Sequence, residues 1–116
     1  MKRFMAVYLG SAEGMSKWKA MDEARRRQSE KAGKEAWVKW GADHAGAIVD
    51  HGSPLGKTKR ISAQGIVDTR NEIAAWSLVQ AESHEAAARL FQNHPHFTIF
   101  PGDAIEVMEC LPMPEM

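Results

Sequence analysis

The chain has little of what would announce a function. It holds one cysteine, Cys110. That excludes an internal disulfide framework and fits a reducing cytoplasm. With no basic residue near it in sequence to activate the thiol, Cys110 reads as inert. Neither sign of charge is in excess: 15 Lys and Arg meet 15 Asp and Glu, for a formal net charge of zero. Nucleic acid and anionic membrane surfaces are met with a basic excess, so neither is expected as a partner. No apolar run approaches the roughly 18 residues of a membrane-crossing helix. The opening "MKRFMAVYLG" lacks the long apolar core and small-residue cleavage site of a secretory signal. Repeats and low-complexity tracts are also missing. The 116 residues leave room for one domain, 1–116, and one core.

What is present is a sequence of short elements. "RFMAVYL" (3–9) is a β-rich apolar run ended by Gly10 and predicts a first strand. From Lys17 to Ala45 the composition is helical, with Ser16 as N-cap, a weak point at Gly33 and Gly46 as the closing glycine. A kinked or two-part helix is expected there. "AIVDHGSPLG" (47–56) reads as a short extended piece and a turn. Strands are predicted over 59–68 and 73–81, joined by "TRNE". "SHEAAARLFQNH" (83–94) is the clearest helix: Ser83 caps it, Glu85 favours its first turn, and Pro95 disfavours helix at His94. "AIEVMEC" (104–110) is the last strand, and "LPMPEM" a tail.

The resulting order, β-α-β-β-α-β, is the ferredoxin-like arrangement, an α+β fold with a four-stranded antiparallel sheet. Helices cover one face of such a sheet. The strands "FMAVYL" and "IAAWSLVQA" are apolar at odd and even positions alike. Both faces must then be covered, and a second copy of the sheet is the simplest cover.

"AGAIVDHGSPLG", "VQAESHEAAARLFQNHP" and "GDAIEVMECLPMP" follow one another over about residues 45–112. Together they resemble the YCII-related family. The resemblance implies a dimeric α/β barrel and, as in some members, a His–Asp pair suited to acid–base work. The family Asp stands directly before the proline that follows the second helix; here that position is His94. The family His maps near Glu35, or Trp37 if the helix is shifted. This chain departs from the family at both places. Either the pair is exchanged, Glu35 with His94, or it is lost.

Several candidate site residues follow. His94 is the first, as acid or base, with Glu35 or Asp43 to orient it; His titrates near neutrality. The plainer reading of the "HPH" step is a helix end, where histidine complements the dipole. His96 is expected to be more exposed and dispensable. "ADHAGAIVDH" repeats an Asp-His step and adds His44 and His51. Four tryptophans are many for this length. Trp37, Trp40 and Trp76 are candidates for an aromatic pocket wall as well as for core packing. Arg60, Asp68 and Arg70 flank a strand, as surface ion pairs or as contacts for an acidic ligand. No histidine or cysteine spacing completes a metal set, and "GSPLGKTK" lacks the spacing of a phosphate loop. No metal or cofactor is expected. The reading is a homodimer that binds a small molecule, either as an acid–base enzyme or as a non-catalytic binding or dimerisation module.

Overall fold

The computed structural model describes residues 1–114. The tail residues Glu115 and Met116 lie outside the described residues. The first strand, β1 (Lys2–Leu9), alternates: Phe4, Ala6 and Tyr8 are buried while Met5, Val7 and Leu9 are half-buried. This two-residue period puts the first set under the helices and the second on the outer face.

The helical region departs from expectation at its start and its break. It forms two helices, α1 (Ala12–Lys19) and α2 (Glu23–Asp43). Ser11, not Ser16, caps α1, accepting from the Gly14 N–H at 3.1 Å. Asp22 caps α2, accepting from the Arg25 N–H. The break therefore falls between the helices at residues 20–22, where a side-chain oxygen restarts the ladder. Gly33 does not interrupt α2. A Cβ there would lie 2.5 Å from the Phe100 ring, so the glycine is a seat for that ring. The helix also closes before Gly46, with His44 as its C-cap.

Next comes β2 (Ile48–Pro54), longer than the short extended piece expected. The single strand predicted over 59–68 is a hairpin instead: β3 (Thr58–Ser62) and β4 (Gly65–Thr69). Gly65, at φ +115°, supplies the backbone the turn requires. The strand β5 (Ile73–Ala81) falls where it was predicted. The helix α3 (His84–Arg89) is capped by Ser83 as expected but ends sooner. Residues 90–93 turn, with Asn93 at φ 57°. His94 then caps a further short helix, α4 (Pro95–Thr98). Pro95 thus opens a helix as well as excluding His94 from one, because a first-turn proline loses no hydrogen bond. The chain closes with β6 (Ala104–Glu109).

The main sheet runs β2-β5-β1-β6, with every neighbouring pair antiparallel. This is the ferredoxin-like α+β fold. Its second strand is β2, not the 59–68 segment. The β3–β4 pair forms a separate two-stranded sheet inserted between β2 and β5. Phe4, Ala6, Tyr8, Val79 and Ala81 form the inner face of the sheet, and Trp40, Ala87 and Phe91 cover it. Gly52, at φ +67°, lets β2 bulge against β5: a Cβ there would meet the Trp76 carbonyl oxygen at 1.8 Å. No helix of the described residues is long and apolar enough to cross a membrane.

Candidate functional site

The polar groups buried in this core gather at one place. Tyr8 projects from β1 toward the helices, and its hydroxyl shares a 3.0 Å hydrogen bond with Ser77 of β5. Burial pushes the Tyr8 phenol up, against the opposing pull of that bond. Around Tyr8 stand His94 at 5.3 Å, His96 at 5.4 Å and Trp37 at 5.2 Å between ring centroids. His94 is fully buried. Trp37 meets it edge-on at 4.5 Å and Trp40 at 4.7 Å. Its Nδ1 accepts from the backbone N–H of His96 at 3.0 Å, which is the capping bond of α4. In the neutral ring the proton therefore sits on Nε2, and Nε2 is buried with no hydrogen-bond partner. Burial, then the charges of His96 and His44, lower the His94 pKa to about 3. His94 is a neutral donor in an aromatic box.

His96 faces elsewhere. Its Nε2 donates to the Leu9 carbonyl at 2.8 Å, which anchors the ring at the end of β1. Burial lowers its pKa, and the backbone bonds to Leu9 and Ala104 and the Asp103 carboxylate pull the other way. Gly102 lies so close that a Cβ there would come within 2.2 Å of the ring. The ring forms part of the floor of an open cleft of about 1080 Å³. The cleft runs between the end of β1, the loop at Phe100–Gly102 and the base of the β3–β4 hairpin. Apolar contacts come from Met15, Leu55, Ile73 and Phe100; Lys57 and Arg70 stand at the hairpin side. Asp103 accepts from the Ser11 N–H at 2.7 Å and so holds the start of α1 against this loop.

A solved structure shares this architecture. It is 5-chloro-2-hydroxyhydroquinone dehydrochlorinase (TftG) from Burkholderia phenoliruptrix AC1100, in complex with 2,5-dihydroxybenzoquinone. The similarity covers 90% of this chain and 89% of that one, with 14% identity and a TM-score of 0.54. At that identity the likeness is one of fold. No family model matches the chain, and no curated protein matches it. The likeness supports the ferredoxin-like α+β fold and assigns no family.

The residues singled out in the sequence divide among three places. Trp37, Trp40 and His44 join His94: the Trp40 indole donates to the Leu90 carbonyl at 2.8 Å, and His44 Nδ1 bonds the Trp40 carbonyl at 2.8 Å. His51 is exposed on the β2 edge, with its ring near Gly41 of α2. Trp76 pairs with Val7 on the outer face of the sheet, away from the other two. Glu35 is exposed on α2. Asp43 is exposed and ion-paired with Lys39 at 2.8 Å, and that hydrogen bond holds its carboxyl below the usual range. Neither carboxylate bonds His94, whose Nδ1 is already taken by backbone. The expectation that Glu35 or Asp43 orients His94 is corrected on that geometry. His96 is the more exposed of the two histidines, as expected, but only slightly: 7% against 0% for His94. Asp68 pairs across the hairpin with Lys59, and Arg60 lies further along the hairpin.

Tyr8, Ser77 and Phe100 were not singled out from sequence. Tyr8 carried a signal, being the only tyrosine and standing on the buried phase of β1. Ser77 carried none: a serine in an apolar strand declares itself only when a partner 69 residues away is placed beside it. Among the described residues no group of three or more His, Cys, Asp or Glu is placed to hold a metal.

Proposed function

We propose that this chain is a small-molecule-binding protein of the cytoplasm that works as a homodimer, with the cleft on His96 as its ligand site. The observation that carries the reading is the His96 ring, almost wholly buried, held by the Leu9 carbonyl and presented at the floor of a cleft large enough for an organic ligand. The apolar lining suits a flat carbon skeleton. Lys57 and Arg70 suit an oxygen anion on it. Dihydroxybenzoquinone, the ligand of the structurally similar dehydrochlorinase, belongs to that chemical class. The outer sheet face supports the dimer. Met5, Val7, Trp76 and Leu78 lie there on neighbouring strands, with no helix over them. A second sheet covers such a face in a closed two-fold pair.

An enzymatic reading is favoured by one observation, the partnerless Nε2–H of His94. A neutral imidazole with a depressed pKa donates to a carbonyl oxygen and polarises it, a role distinct from that of a general base.

The test is a fluorescence titration with 2,5-dihydroxybenzoquinone, read on the native tryptophans. Saturable quenching in the wild type that is lost in His96→Ala supports the cleft. Absence of saturation up to millimolar probe, or equal affinity in His96→Ala, removes it. Turnover of the probe that disappears in His94→Gln selects the enzymatic reading.

A further inference from the structure

The β3–β4 hairpin has no hydrophobic core of its own. Every residue from Lys59 to Ile73 is exposed. In its register Lys59 faces Asp68 and Ile61 faces Ile66, and these two pairs share one face. The first is a 2.6 Å ion pair near the base of the hairpin. The second is an isoleucine pair near the turn, with Ile61 72% and Ile66 68% exposed. A two-stranded hairpin standing alone in water is marginal at best. Two large β-branched side chains set opposite each other on it form a patch that needs a cover.

The dimensions of the chain indicate the cover. The accessible surface is 8515 Å², against about 6300 Å² for a compact monomer of this mass. The radius of gyration is 16.2 Å, against about 13 Å for a compact domain of this length. The molecule measures 54 × 43 × 18 Å, a slab rather than a sphere. The surplus, about 2200 Å², exceeds the roughly 800 Å² per partner of a standard interface and matches the large interfaces of obligate dimers. Exposed apolar side chains on the hairpin, Ile61, Ile66 and Val67, and at Leu111 and Met113 are part of that surface. A balanced charge leaves no net repulsion between two copies.

We infer that the β3–β4 hairpin is a dimerisation arm, whose Ile61–Ile66 face packs on a second copy of this chain. The inference rests on the dimer proposed above and adds a second contact to it. It also ties assembly to the ligand site, because Lys57, Lys59, Asp68 and Arg70 at the base of the arm form one side of the cleft. Docking the arm fixes that side, so the cleft is completed only in the pair.

The experiment is sedimentation velocity over a concentration series on wild type, on the double variant Ile61→Thr/Ile66→Thr, and on Val7→Glu. Threonine keeps the β-branch, so the hairpin retains its strand preference. Far-ultraviolet circular dichroism and an unchanged melt of the isolated protomer confirm that the fold survives. The arm variant should weaken the dimer on the order of 100-fold, since a symmetric pair loses four buried isoleucines. Wild-type dimerisation matched by the arm variant, with Val7→Glu monomeric, overturns the arm and leaves the sheet-face dimer standing. A wild-type chain that stays monomeric at every concentration overturns both. A dimer weakened in each of the two variants supports both contacts. Should the threonine variant fail to fold, Ile61→Ala alone, with a smaller loss of affinity expected, decides the question by the same measurement.

Discussion

His94 and His96 stand on the two sides of one proline and meet different surroundings. His94 is sealed in a box of Trp37, Trp40, Tyr8 and Phe91, with one nitrogen on the backbone and the other on nothing. His96 is anchored by Leu9 and borders an open cleft. A single backbone-to-side-chain hydrogen bond, His96 N–H to His94 Nδ1, joins them. The lesson is that in a short capped helix the cap and the second helical residue point in different directions. The two imidazoles therefore occupy different places: one is enclosed in the core and the other borders the cleft.

The comparison can be broken most strongly at His94. His94→Ala empties a fully enclosed site and removes the cap of α4, so a loss of about 3–4 kcal/mol is expected in urea unfolding. A loss near 1 kcal/mol means that the box collapses freely and does not depend on the ring. Next in size is Gly102→Ala. The new methyl overlaps the His96 ring, and the buried ring must leave its place against Leu9. We expect about 2–3 kcal/mol together with loss of probe binding in the cleft. Retained binding would show that His96 can relocate without consequence.

Acid sharpens the contrast. The folded His94 pKa lies near 3, below its ordinary 6.5, so the unfolded chain takes up a proton in this range that the folded chain refuses. Stability is complete above the ordinary value and falls as the pH drops toward 3. Between pH 7 and 5 the fall from this one group is about 2 kcal/mol. The lowered pKa of His96 adds in the same direction. His94→Gln should flatten most of that slope in a pH series of chemical denaturations; an unchanged slope assigns it to other groups. The smallest effect is expected at Glu35. It is exposed and bonds neither histidine, so Glu35→Gln should leave both the melting temperature and probe binding as they are. A clear loss of binding there would restore the exchanged carboxylate–imidazole pair.

Much of the fold was legible because its signals are local. The β-rich run of β1, the bounds of β5 and the Ser83 cap each need only a few neighbours to be read. Ser11 and Ser16 show the limit. Both are plausible caps, and the choice turns on Asp103, which holds the Ser11 N–H from 92 residues away. The hairpin was hidden for a related reason. "SAQG" offers one glycine and no strong turn pair, so the 59–68 run reads as one strand and takes the place that belongs to β2. The site was less legible than the fold. His94 stood out through the proline beside it, but the Glu35 partner assigned to it came from family likeness. The actual partners of the two histidines are backbone atoms of Leu9 and His96, which no residue type announces.

The strand order carries a consequence for the time course of folding. The central strand β1 has β5 and β6 as its two neighbours, and Lys2 pairs with Ala81 while Phe4 pairs with Glu109. Both partners follow it by most of the chain. The β3–β4 hairpin, by contrast, closes between residues a few positions apart. Local closure takes on the order of microseconds, whereas sheets built from distant pairings are slow. The arm therefore closes and reopens while the middle strand of the sheet is still unpaired. During that interval the isoleucine pair and the apolar edges of β1 are open together, and a second chain nearby meets both before either is covered.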